Sequence, residues 1–139
     1  MRRAEWYLDE DVLGLAEMLA RAKLPVTWPG DDGRRQWGRD QESSPVRERE
    51  VPDEEWVPVV ANAGLAIITR DRRIMDRTVR VNAVLASRAR LFAITSSSPL
   101  DLWAEVRIVA AQWDEIQRRR VEPGPFVDSV TLSGVRRLL

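Results

Sequence analysis

VPDEEWVPVVANAGLAIITRDRRIMD, from Val51 to Asp76, joins an acid-tipped helix to an apolar strand that itself ends in an acid. Pro52, Asp53, Glu54 and Glu55 open the helix, Gly64 closes it, and Leu65 to Thr69 reads as a short buried strand bounded by turn residues. Asp71 follows at the strand's carboxyl end, the edge at which open α/β sheets bind ligands. With about 3.6 residues per turn, Asp53 shares a face with Val57, Val60 and Gly64, whereas Glu54 and Glu55 point elsewhere. Asp53 is therefore expected to face inward. Glu54 and Glu55 have a sufficient explanation in the helix dipole, which favours acids in any first turn. Pro58 lacks an N–H and is expected to bend or delay the helix.

Working outward, the same grammar repeats. Trp6 to Leu8 is an apolar burst, Asp9-Glu10-Asp11 follows at once, and Val12, Leu13, Leu15, Ala16, Met18 and Leu19 recur at helical spacing. Asp9 thus matches Asp71 in position, while Asp11 lies near a helix start and could equally serve as a cap. Leu24 to Trp28 gives a second strand, expected parallel to the first. From Pro29 to Glu50 only Trp37 and Val46 are apolar. That segment buries too little to offset an ordering cost of roughly 1–2 kcal/mol per residue, so a flexible charged loop is expected at 29–50. Beyond Asp71 come Arg72, Arg73, Arg77 and Arg80, a helix through Val81, Val84 and Leu85, and a strand from Leu91 to Thr95 with Ser96 to Ser98 at its carboxyl end. Ser98 reads as the N-cap of a further helix, with Trp103, Val106, Ala110 and Trp113 as its apolar stripe. Phe126 to Leu132 alternates as a last strand, after which Gly134 turns into the tail.

Composition narrows the chemistry. Acidic and basic residues balance at 22 each, so no global field marks a nucleic-acid or membrane binder and any such contact must use a local patch. The chain has no Cys and no His. Thiolate nucleophiles, imidazole bases, Ser-His-Asp triads and the usual zinc sites are thereby excluded, which leaves carboxylates and hard, oxygen-liking cations, Mg2+ or Mn2+. All but Lys23 of the 22 basic residues are arginine, the side chain that grips phosphate bidentately. No run approaches membrane-spanning length and the amino terminus has no apolar signal core, so the expectation is a single cytoplasmic domain over residues 1–139. A receiver-like phosphoacceptor domain would also gather acids at strand ends, with Thr95 well placed. It needs a lysine near the last strand, and Lys23 comes too early.

YLDEDV near the start, D-E-E-W opening a helix, Gly64, and the apolar strand ending Thr69-Arg70-Asp71 together resemble the PIN-like domains, in particular short bacterial members related to VapC-type toxin ribonucleases. The resemblance implies a three-layer α/β domain with a central, mostly parallel sheet of four or five strands. It implies a metal-dependent endoribonuclease of toxin-antitoxin type, in which Asp9, Asp53 and Asp71 are catalytic and hold Mg2+ or Mn2+. Asp11 and Glu54 are additional acids, Arg70, Arg72 and Arg73 hold RNA phosphate, and Thr95 is a hydroxyl near the site. The implied partners are an RNA substrate, a cognate antitoxin protein and a second copy of the chain, with no membrane. The resemblance also calls for a further mid-chain glutamate, for which Glu42, Glu48 and Glu50 are the candidates. The alternative is a PIN-like module that has lost catalysis and binds a partner protein or RNA.

Overall fold

The computed structural model describes every residue except Arg35, Arg72 and Ser97. Six strands form one sheet: β1 (Trp6–Leu8), β2 (Val26–Thr27), β3 (Ala66–Arg70), β4 (Arg90–Ile94), β5 (Phe126–Thr131) and β6 (Gly134–Arg137). Their order is β2-β1-β3-β4-β5-β6; the first five are parallel and β6 is antiparallel to β5. The helices are α1 (Leu13–Arg21), α2 (Asp53–Asn62), α3 (Thr78–Ser87) and α4 (Leu102–Arg120). Strand alternation divides the interior in two. Trp6, Leu8, Ala66, Ile68, Phe92 and Ile94 pack against α1 and α4. Tyr7, Ile67, Leu91 and Ala93 pack against α2 and α3. The result is the expected three-layer, mostly parallel α/β architecture, with one strand more than the four or five the sequence signalled. Gly134, read as the turn into a tail, instead begins β6, whose four residues are half-buried or exposed and include two arginines. So short and polar an edge strand carries little periodic signal.

Parallel pairing places the ends of β1, β3 and β4 on one edge, as expected for Leu8, Thr69 and Thr95. The chain also reverses direction of growth between β1 and β3, since β2 lies on one side of β1 and β3 on the other. In doubly wound sheets that switch point opens a crevice for ligands. Asp9 and Thr69 flank it.

Within the charged segment 29–50, expected to be a flexible loop, several polar side chains are packed. Asp31 is buried, and its carboxylate accepts hydrogen bonds from Thr27 Oγ1 at 2.8 Å, Gly33 N at 2.9 Å and Arg39 Nη2 at 2.7 Å. The Arg39 side chain is 4% exposed and its Asp31 partner 1%. Gln41 Nε2 donates to Val26 O at 2.8 Å, and the Arg39 guanidinium lies 4.5 Å from the Trp28 ring centroid. The segment thus covers the outer edge of β2 by satisfying polar groups, a mode of burial that counting apolar residues does not register. Two further readings shift. α4 is capped by Asp101, whose Oδ1 accepts from Ala104 N at 2.8 Å, and not by Ser98. Its buried stripe is Glu105, Ile108, Val109 and Ile116, which leaves Trp103 65% exposed.

Breaking a buried pair strands a charge, so Arg39→Met is expected to cost about 3–5 kcal/mol in denaturant unfolding. It should also make 29–50 the first segment cut by thermolysin. Wild-type protein cleaved there before anywhere else would show that the packing does not persist in solution.

Candidate active site

The switch point gathers acids because the turn after β1 delivers two and the start of α2 a third. Asp9 follows β1 directly and its Oδ1 accepts from Glu10 N at 2.8 Å, which fixes the turn. Asp11, two residues on, reaches across to β3: its Oδ2 lies 3.0 Å from Thr69 Oγ1 and 3.2 Å from Arg70 N. Asp53 begins α2, and its Oδ1 accepts from Trp56 Nε1 at 2.9 Å. Val57 and Val60 on the same helix are buried, so the inward phase expected for Asp53 holds.

Arg80, on the first turn of α3, ties these together. Its Nε donates to Asp53 Oδ2 at 2.9 Å and its Nη2 to Asp9 Oδ2 at 3.1 Å and Asp53 Oδ1 at 3.3 Å. Its Nη1 donates to Thr69 Oγ1 at 3.1 Å. Four bonds from one planar fork bind β1, α2 and β3 to α3.

The charges do not balance. Asp9, Asp11 and Asp53 face one guanidinium. Burial pushes the Asp9 carboxyl above the usual range even though Arg80 pulls it down. Burial, then the charge of Asp9, push Asp11 up to about 6. Burial works against the charge on Arg80, but Asp53, Asp9 and Asp11 outweigh it and hold its pKa above the ordinary value. A further acid lies along the edge. Glu105 of α4 is buried, and its Oε2 accepts from Arg70 Nη1 at 2.9 Å.

The other candidates lie elsewhere. Asp71 shares the edge but not the Arg80 network: its Oδ2 accepts from Arg77 Nε at 2.7 Å and its Oδ1 from Arg73 N at 2.9 Å. Glu54 is exposed on the far side of α2. Arg70 is engaged with Glu105 and Leu100 O, and Arg73 is exposed and paired with Asp76. Arg72 lies outside the described residues. Thr95 Oγ1 is 2.6 Å from Ser129 Oγ, in a neighbouring cavity. Of the mid-chain glutamates, Glu42 is near Arg3, Glu48 lines a cavity beside Trp56, and Glu50 meets Glu10 through its backbone N–H. None of these three interactions involves the Arg80 network. Sequence reasoning passed over Arg80, Thr69 and Glu105; the signal available for Glu105 was its place three and four residues before Ile108 and Val109 on the buried face.

The donor set of Asp9, Asp11, Asp53 and Thr69 suits a hard divalent cation in kind and in charge. In placement the guanidinium stands among the acids, and among the described residues no three acidic side chains are positioned to hold an ion together.

An acid-edged α/β domain ordered 2-1-3-4-5, with its cluster at the β1/β3 switch point, is the class that fold and site define. A family model described as a PIN like domain matches residues 7–96, most of the chain, and the protein belongs to that family of nuclease-type fold. No curated protein and no solved structure matches the chain. Among the described residues no helix is long and apolar enough to cross a membrane.

Because the folded-state pKa of Asp11 lies above its unfolded value, its contribution is most favourable at low pH and is lost as pH rises through about 6. Asp11→Asn is therefore expected to gain about 1–3 kcal/mol over wild type well above that pH and to lose the advantage at about pH 4. Urea unfolding at the two pH values measures this. A variant less stable than wild type at both would mean that the ionised acid is a net favourable bond acceptor.

Proposed function

We propose that the chain is an endoribonuclease, kin to the VapC-type toxins, that cleaves RNA phosphodiesters with a divalent cation, Mg2+ or Mn2+. The observation that carries this reading is the convergence of Asp9, Asp11 and Asp53 at the switch point of a nuclease-type fold. Asp9 and Asp53 would hold the cation, with Asp11 beside them. A bound divalent ion supplies activated water and offsets negative charge developing on phosphorus. Asp11, with a pKa pushed up to about 6, is suited to accept a proton at Oδ2 near neutral pH. Asp71 is assigned a positioning role, since it holds Arg77 and so seats the start of α3.

RNA is supported by the rest of the edge. A cavity of about 400 Å³ is lined by Thr95, Ser96, Ser98 and Arg107, and one of about 420 Å³ by Ser129, Thr131, Ser133 and Arg136. Among their described lining residues there is no carboxylate. Hydroxyls and arginines without acids suit a phosphate–sugar backbone, and hydroxyls can pair with the 2′-OH that distinguishes RNA. A protein partner, either an antitoxin or a second copy, would meet the exposed Leu102 and Trp103 at the start of α4.

The second reading, a binding module without catalysis, is favoured by one observation: Arg80 already occupies the middle of the acids. Cleavage of a single-stranded RNA by wild type, Asp9→Asn and Asp53→Asn with Mn2+ separates the two. The enzyme reading expects turnover in wild type and a loss of about a hundredfold or more in either variant. RNA binding without cleavage in any of the three moves the conclusion to the binding module.

A further inference from the structure

We propose that Trp103, Arg107 and Arg136 form a binding site for single-stranded RNA outside the acidic centre, the indole stacking on an unpaired base and the arginines taking phosphate. The inference rests on the RNA of the reading above and not on its cation. Asp9, Asp11 and Asp53 face one guanidinium and so repel a phosphate backbone, which means that affinity has to come from cations elsewhere on the edge.

Most arginines are already engaged. The described ones other than Arg49, Arg107 and Arg136 each have a side-chain hydrogen bond or ion pair within the chain. Arg107 and Arg136 are exposed and line adjoining hollows at the ends of β4 and β5, to which Thr95, Thr131 and Ser133 are common. A third hollow, of about 300 Å³, shares Ser96, Ser98 and Leu100 with the Arg107 hollow and reaches Arg70 and Asp71 after β3. Neighbouring strands lie about 4.8 Å apart, so β4 and β5 set these hydroxyls roughly 5–10 Å along the edge from Thr69. A strand with a phosphodiester at the acids therefore continues over them.

Trp103 supplies the contact that phosphate cannot. It is 65% exposed while the other tryptophans are buried or half-buried, and it stands one turn before Arg107 on α4, so ring and guanidinium share a face. An exposed indole beside a cation is a platform for any base, because every base has a π-face. The base must be unpaired to reach it. Leu100, Ile108 and Leu132 in the wall of the first hollow suit a splayed-out nucleotide in the same way, whereas a duplex keeps its bases stacked inside.

Fluorescence anisotropy of a labelled single-stranded RNA tests this, with the full chain in EDTA so that no divalent ion contributes. Wild type is expected to bind, Trp103→Ala to bind about tenfold more weakly or worse, and Trp103→Phe to stay close to wild type. Combining Arg107→Gln with Arg136→Gln is expected to lower the slope of log affinity against log salt by about 1.4, two phosphates at about 0.7 each. The substituted side chains are exposed, so the unfolding midpoint should not move. Wild-type affinity and slope in every variant overturn the site and leave the endoribonuclease reading standing. Absence of binding by wild type also overturns the site, and cleavage with Mn2+ then decides the enzyme reading by itself. Conversion of a dimer to a monomer by Trp103→Ala in sedimentation, at unchanged RNA affinity, assigns the indole to a protein interface and overturns the site as well.

Discussion

A buried guanidinium shared by carboxylates from two different elements is the interaction on which the rest of this molecule depends. Parallel pairing of β1 and β3 sends their carboxyl ends to one edge, and acids that follow those strands must accumulate there. Two unit charges about 4 Å apart repel by about 4 kcal/mol at the effective dielectric of a protein surface, a sizeable fraction of the stability of a domain this size. Arg80 relieves part of that repulsion. It does not relieve all of it, since burial still holds Asp9 above its ordinary pKa despite the ion pair. Desolvation outweighs attraction here, and a pair in that balance is poor evidence for a role in stability alone.

The packing that fixes the site is aromatic. Trp6 and Leu8 point into one core, with Trp6 against Phe92 and Trp113, while Tyr7 points into the other and lies 5.1 Å from Trp56. Trp56 in turn donates its indole N–H to Asp53. A ring locked between Tyr7 and α2 therefore aims the carboxylate that Arg80 receives. The acid at the helix start is placed by the core beneath it, and a volume change at Tyr7 would be felt at Asp53 before it was felt at the rim.

How much of this was legible in the sequence follows from which groups depend on local pattern. Asp9 and Asp53 could be read because each follows directly from the phase of one strand or helix. Asp11 was ambiguous, since an acid near a helix start has an ordinary use as a cap, and only the β3 backbone across the sheet shows otherwise. Asp71 was assigned by the same strand-end rule that served for Asp9, but the turn after β3 directs it toward Arg77. Arg80 carries no local mark: it sits on a weakly amphipathic helix among exposed arginines, and its partners are 71, 27 and 11 residues away in sequence. Glu105 was hidden by choosing a stripe through Trp103. In the 29–50 segment the contacts are polar ones that an apolar count does not register: Arg39 bonds Asp31, and Arg39 and Gln41 both donate to Val26 O.

These failures share a cause. Periodicity and capping report interactions within about one turn or one strand, whereas a buried polar network is a tertiary object whose members have no reason to be patterned along the chain. Arg80 reaches from the first turn of α3 to Asp9 after β1, Asp53 on α2 and Thr69 on β3, elements that belong to the two cores.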